Sequence, residues 1–142
     1  MRRYFVPGIS AMKRLCGALA FATLAAGAHA AWERAGATDD GMVIYADAAT
    51  LQKTGDVAKM WGMLDYKTPE KDGAGGAYQS VKLLQEFDCK TAQGRTRYFS
   101  FHAGTMASGQ LVHSELRVDS EWLPANRARP GETLWKVACG KK

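Results

Sequence analysis

The chain has 142 residues, of which 46% are hydrophobic, and its 19 basic and 14 acidic side chains give a formal net charge of +5. This length suits one domain with a modest core and excludes a multidomain protein. Four of the basic residues precede residue 31, and removing them from the 19 leaves 15 against 14 acids, a net charge of about +1. A charge so nearly balanced excludes a nucleic-acid-binding domain.

The N-terminal segment has the features of an export signal. Lys13 and Arg14 precede an apolar run over residues 15–27, and Ala28-His29-Ala30 supplies the small residues of a cleavage site. The run is short for a membrane span, which needs roughly 20 apolar residues. We predict a signal peptide over residues 1–30, with Met12 as a second candidate start, against the alternatives of an uncleaved anchor or a buried hydrophobic helix. The mature chain, residues 31–142, is then exported and has no membrane span.

Two cysteines, Cys89 and Cys139, remain after the signal peptide is removed, because Cys16 leaves with it. An even pair in an exported protein predicts a disulfide. Free or metal-bound thiols are the alternative, although no CxxC pair or nearby histidine favours a metal. In the chain-entropy model, closing this loop of about 50 residues contributes roughly 4 kcal/mol to stability.

Hydrophobic residues recur with a period of two along most of the mature chain, as is typical of strands. The pattern predicts strands over residues 42–47, 57–67, 80–89, 95–102 and 111–119. In the third strand the alternation puts Cys89 on the core side. We expect Phe99 and Phe101 to point inward from the fourth strand, after a turn at Gln93-Gly94, and Leu116 and Val118 from the last.

A helix is predicted near the C-terminus. Pro130 and Glu132 fit a first turn, and Gly140 is a natural stop. A disulfide from Cys139, in the last turn, to Cys89 would fasten this helix to the core face of the sheet. The predicted fold class is α+β: a small antiparallel β-sheet of five or six strands with a C-terminal α-helix packed on one face and one disulfide.

The residue types that catalysis requires lack a suitable setting. His102 and His113 are predicted on the face away from the core, where a strand histidine is usually solvated. Three acids fall at strand edges or ends, where aspartate more often caps a turn: Asp47, Asp65 and Asp88. No serine lies in a nucleophile-elbow context. We predict no enzyme, no cofactor and no metal site.

Aromatic residues offer a candidate interaction surface. Trp61 and Tyr98 are predicted on the second face of the sheet, and Lys82 points away from the core in the strand between them. Tryptophan and tyrosine are enriched at binding hot spots, so these three residues form a candidate dimer interface or ligand surface. The alternative is that the aromatics fill the space between sheet and helix, which we favour for Trp135 and Trp122.

Three segments resemble the surface-adhesin protein E family of Gram-negative bacteria: VIYADAATL, SVKLLQEFDC and ETLWKVACG. The likeness extends from about residue 32 to residue 139. It implies a small antiparallel sheet, a terminal helix tied to it by a disulfide, and dimerisation. It also implies a cell-envelope protein, in the periplasm or on the outer-membrane surface, and the family is named for a member that adheres to host extracellular-matrix and serum proteins.

The resemblance predicts a non-catalytic envelope protein that binds host or envelope proteins. The alternative is a periplasmic structural or stress-related domain of the same fold without adhesive activity. In the adhesive member the stretch before the first-cysteine strand is rich in Lys and Arg and is implicated in host-protein binding. Here the equivalent residues, 73–79, carry no positive charge. Acidic partners would therefore lose an electrostatic contact at this stretch.

Overall fold

The structure is a computed structural model that describes residues 31–142. The predicted signal peptide lies outside the described residues and stays a prediction. The elements of the described part are β1 (Glu33–Ala37), β2 (Val43–Thr54), β3 (Val57–Lys71), β4 (Ala77–Asp88), β5 (Gln93–His102), β6 (Leu111–Leu116), β7 (Leu123–Pro124), a 3₁₀ turn (Ala125–Arg127) and α1 (Arg129–Cys139). The predicted α+β class is confirmed.

The sheet is an antiparallel meander in which neighbours in the chain are neighbours in space. Its order is β1-β2-β3-β4-β5-β6, and the two-residue β7 pairs with the start of β5. Short turns suffice for such connections. Gly55 supplies the positive φ, +59°, that the β2–β3 turn requires. The expected turn at Gln93-Gly94 is wrong: these residues begin β5, and the turn precedes them.

The core lies between the sheet and α1. Ile44, Met60 and Phe87 on the sheet are buried against Leu134 and other residues of the helix. Full burial of a side chain of this size contributes roughly 1.5–3 kcal/mol. Helix and sheet approach closely at Gly62, where a Cβ atom would lie 2.8 Å from Leu134 Cδ1. The glycine is therefore needed for this contact.

The helix ends as predicted and is covalently tied to the sheet. Gly140 adopts the left-handed conformation at φ +63°, and its backbone N–H bonds to the last turn. Cys89 and Cys139 form a disulfide with their Cα atoms 5.4 Å apart. The predicted bridge is confirmed, and it joins the end of β4 to the last turn of α1.

The last long strand differs from the prediction. Leu116 is 68% exposed and Val118 is 63% exposed, so the expectation that they point inward is wrong. The β5–β6 register shifts by one residue, because His102 pairs with Leu111 whereas Phe101 pairs with His113. This shift exchanges the faces of the β6 residues that follow it, up to Leu116, since successive side chains alternate. Val118 lies beyond the end of β6.

His113 is affected by the same shift. It was expected on the face away from the core, but it shares the helix-side face with Phe99 and Phe101, at ring-centroid distances of 5.7 and 6.0 Å. These two phenylalanines do lie on the predicted face, where they remain partly exposed. Tyr78 stacks on Phe101 with centroids 4.5 Å apart. An aromatic cluster therefore extends the apolar face past the core.

Candidate interaction surface

The sheet face opposite α1, called here the open face, carries a row of apolar side chains. Trp61 pairs with Leu84, Leu84 with Tyr98, and Tyr98 with Leu116. Directly paired residues on neighbouring strands point to the same face, so these four side chains cross β3, β4, β5 and β6 side by side. We call them the apolar row.

Lys82 lies against this row. Its Nζ atom is 4.4 Å from the centroid of the Trp61 ring, within the distance of a cation–π interaction. The Trp61 and Tyr98 rings meet edge to face, with centroids 5.8 Å apart and an interplanar angle of 74°. All three side chains are partly exposed. The structure thus brings together the three residues singled out from the sequence, while their role in binding stays a prediction.

Leu84 and Leu116 were not singled out from the sequence. Leu84 comes directly after Leu83, which lies on the same face as Val81. Because two successive leucines point to opposite faces, the apolar character of Leu84 alone does not show which face it occupies. Its position between Lys82 and Glu86 in the period-two pattern was the available signal. Leu116 belongs to the row only because of the β5–β6 register, which cannot be predicted from the sequence pattern.

Charged residues flank the row on one side. Glu86 accepts a hydrogen bond from Arg95 Nε at 2.8 Å, and the Arg95 Nη2–Glu86 Oε2 distance is 2.7 Å. The Arg95 guanidinium also lies over the Trp122 ring, 4.4 Å from its centroid. The Trp122 ring is therefore in contact with an arginine and is not among the residues that pack against the core. Trp135 does pack against the core, as expected.

The other end of the open face is covered by the β5–β6 loop. Ser80 Oγ donates a hydrogen bond to the Gly104 carbonyl at 2.6 Å and accepts one from the Ala107 N–H at 2.9 Å. Asp65 accepts the Met106 N–H at 2.8 Å. These bonds hold the loop down and bury Ser80 completely. The accessible part of the face is therefore its centre, where Lys82 and the apolar row are at least partly exposed, whereas Met63 and Ser100 beside Lys82 are buried.

His102 lies next to the exposed centre and is shifted toward its neutral form. Burial and, secondly, the positive charge of Lys82 lower the pKa of His102 from its ordinary 6.5. Its Nε2 atom lies 3.0 Å from Ser100 Oγ. At neutral pH the cation at this centre is therefore Lys82, and the histidine adds a charge only in acid.

The three acids considered for catalysis do not converge. Asp88 caps the following turn by accepting the Lys90 and Thr91 N–H groups at 2.9 Å, and these hydrogen bonds outweigh burial and lower its pKa. Asp47 is 4% exposed and lies opposite Trp61. Within residues 31–142 its Oδ1 has no hydrogen-bond partner, and no three His, Cys, Asp or Glu side chains there are grouped to hold a metal ion.

Among the described residues, no helix combines the length and the apolar character that a bilayer crossing requires. Comparison with known proteins identifies a family that this chain matches. The sequence model of the family described as surface-adhesin protein E matches residues 32–140. Among the curated proteins, none matches the chain.

Solved structures of protein E from Haemophilus influenzae share the fold. The selenomethionine form has a TM-score of 0.56 at 8% identity, over 79% of this chain and 88% of that one. Crystal form II has a TM-score of 0.52 at 9% identity, over 68% and 80%. Protein E from a non-typeable strain has a TM-score of 0.55 at 8% identity, over 79% and 77%.

Proposed function

The chain belongs to the surface-adhesin protein E family, and from that premise we propose that it is a non-catalytic exported envelope protein that binds a partner protein through its open face. The observation that carries this proposal is the contact of Trp61, Lys82 and Tyr98 on a face that α1 does not cover. The family match and the shared fold support the surface-adhesin character.

The chemistry of the open face suits a protein partner. Trp61 and Tyr98 are the residue types that contribute most at protein interfaces, since their large apolar area costs few rotatable bonds. The exposed Leu116 extends the apolar row to the edge of the sheet. Lys82 supplies one cation at the centre, so the matching partner surface is apolar with a carboxylate opposite Lys82.

The stretch that precedes β4 is a less suitable contact. Asp72 Oδ1 accepts the N–H groups of Ala74 and Gly76 at 3.0 and 2.6 Å, which folds these residues into a turn. Residues 73–79 contain no basic side chain. Recognition of an acidic partner by this stretch is therefore not expected, and the open face is the better candidate.

A test of the location separates this proposal from a periplasmic domain that adheres to nothing. Intact Gram-negative cells that express the protein are treated with trypsin, and the released peptides are identified by mass spectrometry. We expect the peptide of residues 118–127, because trypsin cuts after Arg117 and Arg127 and both are exposed. A periplasmic protein left undigested is the control. If this protein is cut only after the outer membrane is opened, it is periplasmic and the adhesive function fails.

A second copy of the chain is the other candidate occupant of the open face, because the apolar row reaches the edge strand β6. If a second copy binds there, the variant Trp61→Ser/Tyr98→Ser should be monomeric at concentrations at which the wild type is dimeric. Analytical ultracentrifugation measures the distribution. An unchanged distribution removes the dimer from the proposal and leaves the partner protein.

A further inference from the structure

The strand β6 leaves one edge of the sheet open. The sheet ends at β6, and no other strand in the described part of the chain pairs with its outer side. On the inner side, the Arg117 N–H bonds to the Arg97 carbonyl at 2.8 Å. Because bonded and non-bonded pairs alternate along an antiparallel ladder, Ser114 and Leu116 direct their N–H and C=O groups away from β5. Such a row of outward backbone groups is a template for one more strand.

Exposed apolar side chains are concentrated at this edge. Leu111 and Leu116 are the two end residues of β6, and Val118 lies just beyond it. These are the three most exposed large apolar side chains in the part of the chain that the structure describes. Exposed apolar side chains that lie together indicate a contact with another molecule. The strand also lacks the Lys and Pro residues that prevent pairing at many sheet edges.

The polar side chains of β6 match those of a second copy placed antiparallel to it. Glu115 lies 3.9 Å from His113 and 3.3 Å from Arg117, measured from its carboxylate oxygens to Nε2 and Nε, and all three side chains are exposed. With a two-fold axis at Ser114, the Glu115 carboxylate of each copy lies opposite the His113 ring of the other, which has an N–H to donate. With the axis at Glu115 instead, two carboxylates lie opposite each other, which is unfavourable. The strand is therefore complementary to itself when Ser114 lies on the axis.

We propose that two copies of this chain pair antiparallel through β6, with a two-fold axis at Ser114, so that their sheets join into one. In this register the two Ser114 residues exchange both backbone hydrogen bonds, and the overlap covers all of β6. A symmetric contact of this kind closes after two copies. Directly opposite residues share a face, so the open faces of both copies lie on the same side of the joined sheet. The pairing does not use the open face, so it is independent of the proposed function.

Analytical ultracentrifugation of the purified protein tests the pairing. We expect a monomer–dimer equilibrium with a Kd on the order of 100 µM, because an edge pair of this length buries a small area. Ser114→Pro removes an N–H that points away from β5, so we expect a folded protein whose dimer Kd is at least about tenfold higher. Ser114→Ala keeps the N–H and should dimerise like the wild type.

Three results would overturn the pairing through β6. The first is a wild type that stays monomeric well above the expected Kd, and the second is equal dimerisation of folded Ser114→Pro and Ser114→Ala. The third is an assembly larger than a dimer, which would indicate that β6 pairs with β1 of the next copy. The dimer should also persist in Trp61→Ser/Tyr98→Ser. Its loss in that variant would place the second copy on the open face and contradict the proposal.

Cysteine cross-linking tests the register and does not depend on whether Ser114→Pro folds. In the proposed pair the two Cα atoms at position 114 lie about 5.5 Å apart, within the range of a disulfide. The two Cα atoms at position 111 are offset by six residues, roughly 20 Å along the strands. After mild oxidation, Ser114→Cys should therefore give a disulfide-linked dimer on a non-reducing gel, whereas Leu111→Cys, also exposed and on the same strand, should not. Equal cross-linking at both positions, or none at position 114, would overturn the proposal.

Discussion

Lys82 Nζ lies 4.4 Å from the centroid of Trp61, and the same charge is felt by His102 on the next strand. Single residues thus set the electrostatics of the open face. The cation is held against an indole ring, where a cation–π contact contributes about 0.5–1 kcal/mol at an exposed site. Burial and Lys82 together keep His102 neutral, so the face carries one central positive charge at neutral pH.

Replacing Lys82 tests this electrostatic coupling. In Lys82→Met the pKa of His102 rises toward 6.5, because the repelling charge is gone, but stays below that value, because the burial remains. NMR titration of the His102 ring protons measures the change. Lys59→Met, on the same face but not a cause of the shift, is the control, and an equal rise in both variants would contradict the coupling.

The lowered pKa of His102 also predicts how stability depends on pH. The unfolded state binds the proton more readily than the folded state, so the contribution of His102 is fully present above pH 6.5 and is lost as pH falls through the folded pKa. Urea unfolding at pH 7 and pH 5 should show a smaller loss for His102→Gln than for the wild type. Equal losses in both proteins would show that other groups account for the dependence.

The helix α1 depends on two features of the strands beneath it. Gly62 lets Leu134 approach the backbone of β3, and the disulfide fixes the last turn to the end of β4. Leu134 is almost completely buried, so it cannot move away from an added atom at low cost. The position of the helix is therefore set by the close contact between Leu134 and Gly62 and by the Cys89–Cys139 disulfide.

Adding a methyl group at position 62 tests the close contact. Gly62→Ala places Cβ 2.8 Å from Leu134 Cδ1, and we expect a loss of about 1–3 kcal/mol in the free energy of unfolding. Gly73→Ala is the matched control, since a Cβ there meets no atom within 4 Å. Urea denaturation measures both. Equal stability of the two variants would show that the helix shifts freely.

Removing the disulfide tests the covalent tie. Its loop spans a sequence separation of 50, so Cys89→Ser/Cys139→Ser should lose about 4 kcal/mol of unfolding free energy through the entropy gained by the unfolded chain. Dithiothreitol should lower the wild type to the same stability and leave the variant unchanged. A reductant effect on the variant would show that the loss has another cause.

For the molecule as a whole, some features of the fold could be predicted from the sequence pattern and others could not. The alternation in β4 predicted the strand and the inward Cys89, because Val81 and Phe87 on one face belong to the buried core while Lys82 and Glu86 on the other are partly exposed. The same alternation placed Trp61, Lys82 and Tyr98 on one face. The β6 register and the complete apolar row were missed, because the shift at Val112 arises from pairing with β5.

Two further features could not be predicted because they depend on the path of loops. The β5–β6 loop covers Ser80 through Met106 and Ala107, non-glycine residues with φ near +55°, which the sequence does not mark. The course of residues 117–122 likewise depends on a loop, since β6 ends at Leu116 and β7 begins at Leu123. β1, with the sequence ERAGA, lacks the period-two apolar pattern and was missed for that reason.

Binding through the open face is tested most directly with immobilised extracellular-matrix and serum proteins. We expect saturable binding of the wild type to at least one of them and a loss of about tenfold or more in Trp61→Ser/Tyr98→Ser, the change expected on removing interface hot spots. Tyr78→Ser/Phe101→Ser removes a comparable aromatic pair from the opposite face and should bind normally. No binding by the wild type, or equal binding by both folded double variants, would contradict the proposed function of the open face.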